Sequence, residues 1–263
     1  MMRVRRRTVV AVVAAALHGS TMACTQVGAD PSAVVAVAFD SLPYPAVIIG
    51  DSLRDAAGVA TALRATGINT DGDEIPGAVF TFLALDAGAT ISAERFLTST
   101  GTDAVGVRLI AQAPSGLQSR DILVHVTPRP DSTAQDGTVD TLRYVVPDEL
   151  ANVSQAIALK VLSTATAPPP VARGWIVKFQ IEYAGAPVPP TSTTLAWLID
   201  ETGRRSAEDT TGTDGRVSRR LRVVPTGLTA AADSLIVTAT VERYGTPLIG
   251  SPVRIAVHVR PQS

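Results

Sequence analysis

Apolar and polar residues alternate with a period of two over several stretches of this chain. Val253, Ile255, Val257 and Val259 alternate with Arg254, Ala256, His258 and Arg260, which puts an apolar row on one face of a strand and a mostly polar row on the other. The same alternation runs through Leu235, Val237, Ala239 and Val241, through Val105, Val107, Leu109 and Ala111, and through Ile122, Val124 and Val126. Pro and Gly interrupt these runs at the short spacing of an antiparallel sandwich. No long stretch with helical spacing is free of Gly or Pro, and only Asp148 to Gln155 suggests one short turn. The expected fold class is all-β.

A weak internal repeat sets the expected number of units. Ile122-Leu123-Val124-His125-Val126-Thr127-Pro128 matches Ile255-Ala256-Val257-His258-Val259-Arg260-Pro261, and Gly77-Ala78-Val79-Phe80-Thr81-Phe82 matches Gly174-Trp175-Ile176-Val177-Lys178-Phe179. Two tandem sandwiches follow, at residues 32–128 and 140–263. Between them the polar run 129–139 is expected to be a linker, because its Pro, Asp, Ser, Thr and Gly bury little apolar surface. Each unit is long enough to build a core without a disulfide or a metal.

The first 23 residues follow a different pattern. Arg3, Arg5, Arg6 and Arg7 form a positive head, Val9 to Leu17 an apolar run, and Thr21-Met22-Ala23-Cys24 a closing box. Such a run is shorter than the ~20 residues of a membrane-spanning helix, so residues 1–23 are expected to be a cleaved secretory signal. Cys24 is the single cysteine of 263 residues, and the box resembles the bacterial lipoprotein signal, with Thr21 where that signal usually has Leu. The resemblance implies a lipid on Cys24, a tether at 24–31 and attachment to the outer membrane or cell surface. The same residues also fit an ordinary signal peptidase site, which would leave a secreted or periplasmic protein with a free thiol.

Removing the signal changes the charge. Nineteen Lys and Arg remain against 24 Asp and Glu, a net charge of −5, and no long basic patch is left to track nucleic acid. Arg216, Arg219, Arg220 and Arg222 are expected on one outward strand face.

Further residues carry a family resemblance. Trp175 to Tyr183, Thr213-Asp214-Gly215-Arg216-Val217 and Asp233 to Val241 resemble strands and a turn of the bacterial immunoglobulin-like domains of invasin and intimin type. Ile49-Gly50-Asp51-Ser52, with Gly88 to Ala111 following, is similar to a second bacterial immunoglobulin-like group. The resemblance implies two tandem immunoglobulin-like β-sandwiches in a structural or adhesive envelope protein.

Three constellations suggest other chemistry. Val47-Ile48-Ile49-Gly50-Asp51-Ser52-Leu53 resembles the nucleophile turn of GDSL esterases, which implies Ser52 as nucleophile. A serine needs a base within reach, yet Ile122 and Ile255 stand three residues before His125 and His258, where that family has Asp. Asn69-Thr70-Asp71-Gly72-Asp73-Glu74, and Glu208-Asp209 with Asp214, gather oxygen ligands as calcium loops do, but Asp-Gly is also hairpin turn chemistry. His125 and His258 hold matching strand positions and are expected to face solvent. The expectation is therefore a non-enzyme with no catalytic residue, metal or cofactor. Its expected partners are the membrane, through the lipid, and another envelope or surface protein or glycan, with no nucleic acid and no small-molecule substrate.

Overall fold

The computed structural model describes residues 33–147, 150–229 and 233–262; Cys24, the signal and the tether lie outside them. Nine strands come first: β1 (Ala36–Phe39), β2 (Ala46–Ile48), β3 (Ala65–Ile68), β4 (Glu74–Ile75), β5 (Thr81–Ala84), β6 (Ala89–Ile91), β7 (Leu97–Ser99), β8 (Gly106–Gln112) and β9 (Ile122–Thr127). Twelve more follow: β10 (Ser132–Gln135), β11 (Leu142–Tyr144), β12 (Val153–Leu162), β13 (Ile176–Tyr183), β14 (Ala186–Val188), β15 (Ala196–Ile199), β16 (Glu208–Thr210), β17 (Arg216–Val223), β18 (Ser234–Thr240), β19 (Glu242–Arg243), β20 (Thr246–Pro247) and β21 (Val253–Pro261). Among the described residues no ladder or isolated bridge joins the first set to the second.

The second set is an immunoglobulin-like sandwich. One sheet runs β10-β12-β17-β15 and the other β11-β21-β18-β13-β14, with β16 also on β13. This is the A-B-E-D sheet against the G-F-C sheet, with β11 added in parallel to β21. In the first set β2, β9, β8 and β5 form a sheet in that order, with β2 parallel to β9. The two parallel pairs are equivalent: Val47 faces Val126, and Leu142 faces Val259. The repeat read in the sequence is thus the strand of each set that takes a parallel partner, β9 and β21, and the second repeat leads into β5 and β13; β1-β3-β4 and β6-β7 complete the first set.

The alternation translates into burial as expected. Leu235, Val237 and Ala239 of β18 face inward beside Ile255, Val257 and Val259 of β21, and Ile157, Leu159, Val161, Val217 and Leu221 approach from the opposite sheet. Val107, Leu109, Val124 and Val126 fill the first sandwich with Leu53, Leu63 and Leu97. Each such side chain contributes about 1.5–3 kcal/mol of burial. All of them belong to one contiguous apolar cluster, which also includes Tyr44 and Trp175.

Three expectations need correction. The 129–139 segment contains β10, whose Ser132–Gln135 pair with Leu162–Leu159 of β12. Its polar composition suits an edge strand with one wetted face, and Thr133 is the residue that turns inward and is buried. Residues 153–155, expected in a helical turn, begin β12, where Ser154 is buried and its Oγ accepts the Leu221 N–H at 2.9 Å. Arg219 does not share the outward face of Arg216, Arg220 and Arg222. Strand period places it inward between Val217 and Leu221, and it is 5 % exposed. Its Nε donates to Ser206 O at 3.1 Å, Nη1 to Ser218 O and Asp209, and Nη2 to Ser206 Oγ and Glu208 O. All five donors are satisfied, which is what lets a guanidinium sit in the core.

Candidate functional site at the junction

The Gly50-Asp51-Ser52 motif is a corner where the chain changes sheets. Ile49 N–H donates to Thr127 O at 2.9 Å, continuing the parallel pairing of β2 with β9. Gly50 then takes a φ of 76°, which a side chain would strain. Past the corner, Leu53 N–H donates to Leu97 O at 2.8 Å and Ser99 N–H to Asp51 O at 3.0 Å, on the opposite sheet. The Asp51 carboxylate accepts the Ser52 N–H at 2.8 Å and the Arg54 Nε and Nη2 at 3.0 and 2.9 Å. The Arg54 hydrogen bonds hold that carboxyl below its usual range. Ser52 Oγ lies 3.1 Å from Thr98 Oγ1, a hydroxyl partner that cannot accept a proton as a base does at neutral pH.

The second sandwich meets this corner with aromatic rings. Trp175, 1 % exposed, stands just ahead of β13; its N–H donates to Thr211 Oγ1 at 2.9 Å and its Nε1 to Glu242 O at 2.9 Å. Its ring lies 4.8 Å from Tyr44 and 6.3 Å from Tyr244, centroid to centroid. Tyr44 belongs to the first set and its hydroxyl accepts the Ile176 N–H at 3.1 Å; burial pushes its phenol up from the usual value. Tyr244 has a φ of 53° and Gly245 of 77°, both in the two-residue turn between β19 and β20. A turn of this hand prefers Asn or Asp over Tyr at the first position. The contacts of the ring account for it: Tyr244 packs on Gly58, where an added Cβ would lie 2.8 Å from the Tyr244 Cβ, and Arg54 sits 5.8 Å from the ring centre.

Further polar bonds cross the same boundary. Arg173 N–H donates to Thr127 Oγ1 at 2.8 Å and its Nη1 to Ala104 O at 3.1 Å. His125 does not face solvent as expected. It is half-buried against Gly174, where a Cβ would meet its Cδ2 at 2.7 Å, and burial, then Arg173, pull its pKa down. Beside these contacts lies a cavity of about 360 Å³. It is lined by Ile48 to Asp51 and Arg54 and by Arg129, Arg243 and Tyr244.

The other sequence candidates are dispersed. His258 is exposed, with Nδ1 2.8 Å from Ser234 Oγ, which donates to Asp233 at 2.8 Å. The serine's one proton goes to the aspartate, so the histidine donates here and does not activate the hydroxyl. Asn69 Oδ1 accepts the N–H groups of Asp71 and Asp73 at 2.9 and 2.8 Å, and Gly72 has a φ of 87°, so this acidic loop is a side-chain-capped turn. Asp214 likewise accepts the Arg216 N–H at 3.0 Å, while Asp209 is taken by Arg219. Trp197 has Arg205 and Arg222 near it, 4.0 and 5.5 Å from its ring centre. The junction itself was not read from the sequence; its signal was the pair of aromatics at 44 and 175, the second of which extends the inward row of Val177, Phe179 and Ile181 past the start of β13.

No protein-family model matches the sequence, and no curated protein does. Similar solved structures include the D00-D0 domain of intimin (13 % identity over 85 % of this chain and 98 % of that one, TM-score 0.27). Others are Drosophila N-cadherin EC1-3 (12 %, 87 % and 69 %, TM-score 0.30) and the fibronectin(III)-like modules of Clostridium thermocellum CbhA (11 %, 86 % and 94 %, TM-score 0.27). Scores this low carry no weight, and the fold assignment rests on the strand pairing above.

Proposed function

We propose that this chain is a non-catalytic envelope module, anchored by a lipid on Cys24, in which two immunoglobulin-like sandwiches are clamped into one rigid unit for structural or adhesive contact with another surface protein. The observation that carries the reading is the junction. Tyr44, Trp175 and Tyr244 form a shared aromatic cluster with hydrogen bonds across the boundary, whereas a flexible string of units would leave polar linkers between separate cores. The contacts of Ser52 favour a turn over a nucleophile. The Trp197 ring already has Arg205 and Arg222 guanidinium groups 4.0 and 5.5 Å from its centre and Trp175 is buried, so each tryptophan is engaged within the chain and a sugar ring would have to displace those contacts to stack. A protein partner fits better than a glycan.

Cells supplied with a labelled fatty acid test the anchor. Wild type should carry the label, and Cys24→Ser should lose it and appear in the soluble fraction; label retained on Cys24→Ser would refute the anchor. Purified mature protein should hydrolyse short-chain aryl esters no faster than buffer. Turnover abolished by Ser52→Ala would replace the binding-module reading with an esterase.

A further inference from the structure

We infer that the junction cavity is a binding site for a small molecule bearing a phosphate or sulfate group, held between Arg129 and Arg243. The inference departs from the sequence-level expectation of no small-molecule ligand. It begins with a charge imbalance. Asp51 is the one acid in the wall, and Arg54 already neutralises it through the paired bonds described above. Arg129 and Arg243 have no carboxylate partner among the described residues, so the cavity holds two uncompensated positive charges. They stand in a mature chain whose net charge is −5, so its general composition does not explain them. A cleft of one sign with apolar walls concentrates counter-ions of the other.

The geometry is suited to an oxyanion. Arg243 Nη1 donates to Pro130 O at 2.8 Å, which orients the guanidinium and leaves Nε and Nη2 for a ligand. Arg129 is exposed and no hydrogen bond to the described residues holds it, so it can close over the bound group. Guanidinium forks match two oxygens of a phosphate or sulfate at once, where ammonium groups supply only point charge. Ile48, Ile49 and the Tyr244 ring provide an apolar wall, and about 360 Å³ falls within the usual span of small-molecule sites. That leaves room for more than the anion alone. Because the walls come from both sandwiches and from the segment joining them, an occupied site would bridge the junction.

The test uses the mature protein, titrated at constant ionic strength with inorganic phosphate and separately with glycerol 3-phosphate, reading calorimetric binding and thermal midpoint. Saturable binding with a rising midpoint is expected. Arg129→Gln and Arg243→Gln should each weaken it by roughly tenfold or more, as loss of charged hydrogen bonds does, while Arg120→Gln, exposed and outside the cavity, should not. Tighter binding of the ester assigns the remaining space to its organic part; tighter binding of inorganic phosphate assigns the site to the free anion. Either supports the site. Arg243 also holds Pro130, so Arg129→Gln is the cleaner variant where Arg243→Gln lowers stability by itself. No saturable binding of either probe, or binding that both Gln variants retain in full, would overturn the inference.

Discussion

The two sets of strands share the order of one sheet, β2-β9-β8-β5 in the first and β11-β21-β18-β13 in the second, but are built with unequal care. In the second, β13 is eight residues long and its outer edge is covered by β14 and β16. Its counterpart β5 has four residues and pairs only with β8 among the described strands, between exposed Val79 and Leu85. The second sandwich also has a ten-residue β12 against an eight-residue β17, whereas the equivalent stretch of the first is broken by the Gly50 corner and the loop at Gly58. Longer ladders bury more side chains per strand end, so the second unit is the sturdier. The first leans on the junction: Tyr44 is buried there, and Ile49, Asp51 and Arg54 find their order beside it.

The strongest way to break this comparison is to empty the junction. Trp175→Ala removes the largest fully buried side chain together with its Tyr44 contact, and should cost about 3–5 kcal/mol. Trp197→Ala, half-exposed on the second sandwich, should cost under about 1 kcal/mol, on the order of a surface cation–π pair. Urea unfolding followed by hydrogen exchange would locate the loss. If the first unit leans on the junction, amides of β2 and β9 lose protection in Trp175→Ala as well as those of β13; protection unchanged in β2 and β9 would show the two units to be independent.

A smaller effect separates the units from the other side. Arg219→Met deletes the buried guanidinium and leaves Asp209 with the carbonyls of Ser206 and Glu208 without their donor. Breaking a buried pair in this way costs about 3 kcal/mol, less here because Asp209 reaches water. The loss should register as a lower midpoint with exchange confined to β16, β17 and the 206–209 segment. Spread of the loss into β8 and β9 would mean that the second sandwich braces the first through its whole body and not only through the aromatic contact.

Much of this architecture is legible in the sequence. Strand period alone identifies the inward rows of β8, β9, β18 and β21, and the matching Ile-x-Val-His-Val stretches locate β9 and β21. What failed to show has a common cause. Ser132–Gln135 carries no apolar alternation because an edge strand needs only one inward residue, Thr133. Arg219 occupies a position that period marks as inward but charge marks as outward, and the conflict is resolved by five hydrogen-bond acceptors, four from the 206–209 segment and one from the adjacent Ser218. The junction is drawn from residues 44, 54, 58, 125, 175 and 244, with no local pattern to link them. Its clues were residue types, the aromatics at 44 and 175 and a Tyr where a turn wants Asn.

The smallest test concerns His125, whose expected outward position became a junction contact. Its pKa is lowered in the folded protein, first by burial and then by Arg173, so folding favours the neutral ring. The unfolded chain, with an ordinary value of about 6.5, binds the proton more readily. Between those two values the unfolded state carries more protons, and stability therefore rises with pH. The contribution is complete above about pH 6.5 and is lost as pH falls through the folded value. Half-burial lets solvent screen the effect, which keeps it under about 1 kcal/mol. Midpoints measured from about pH 7.5 down to about pH 5.5 should fall in wild type, and His125→Gln should flatten part of that slope. Parallel slopes in the two proteins would place His125 in contact with water and move the junction's edge inward to Trp175.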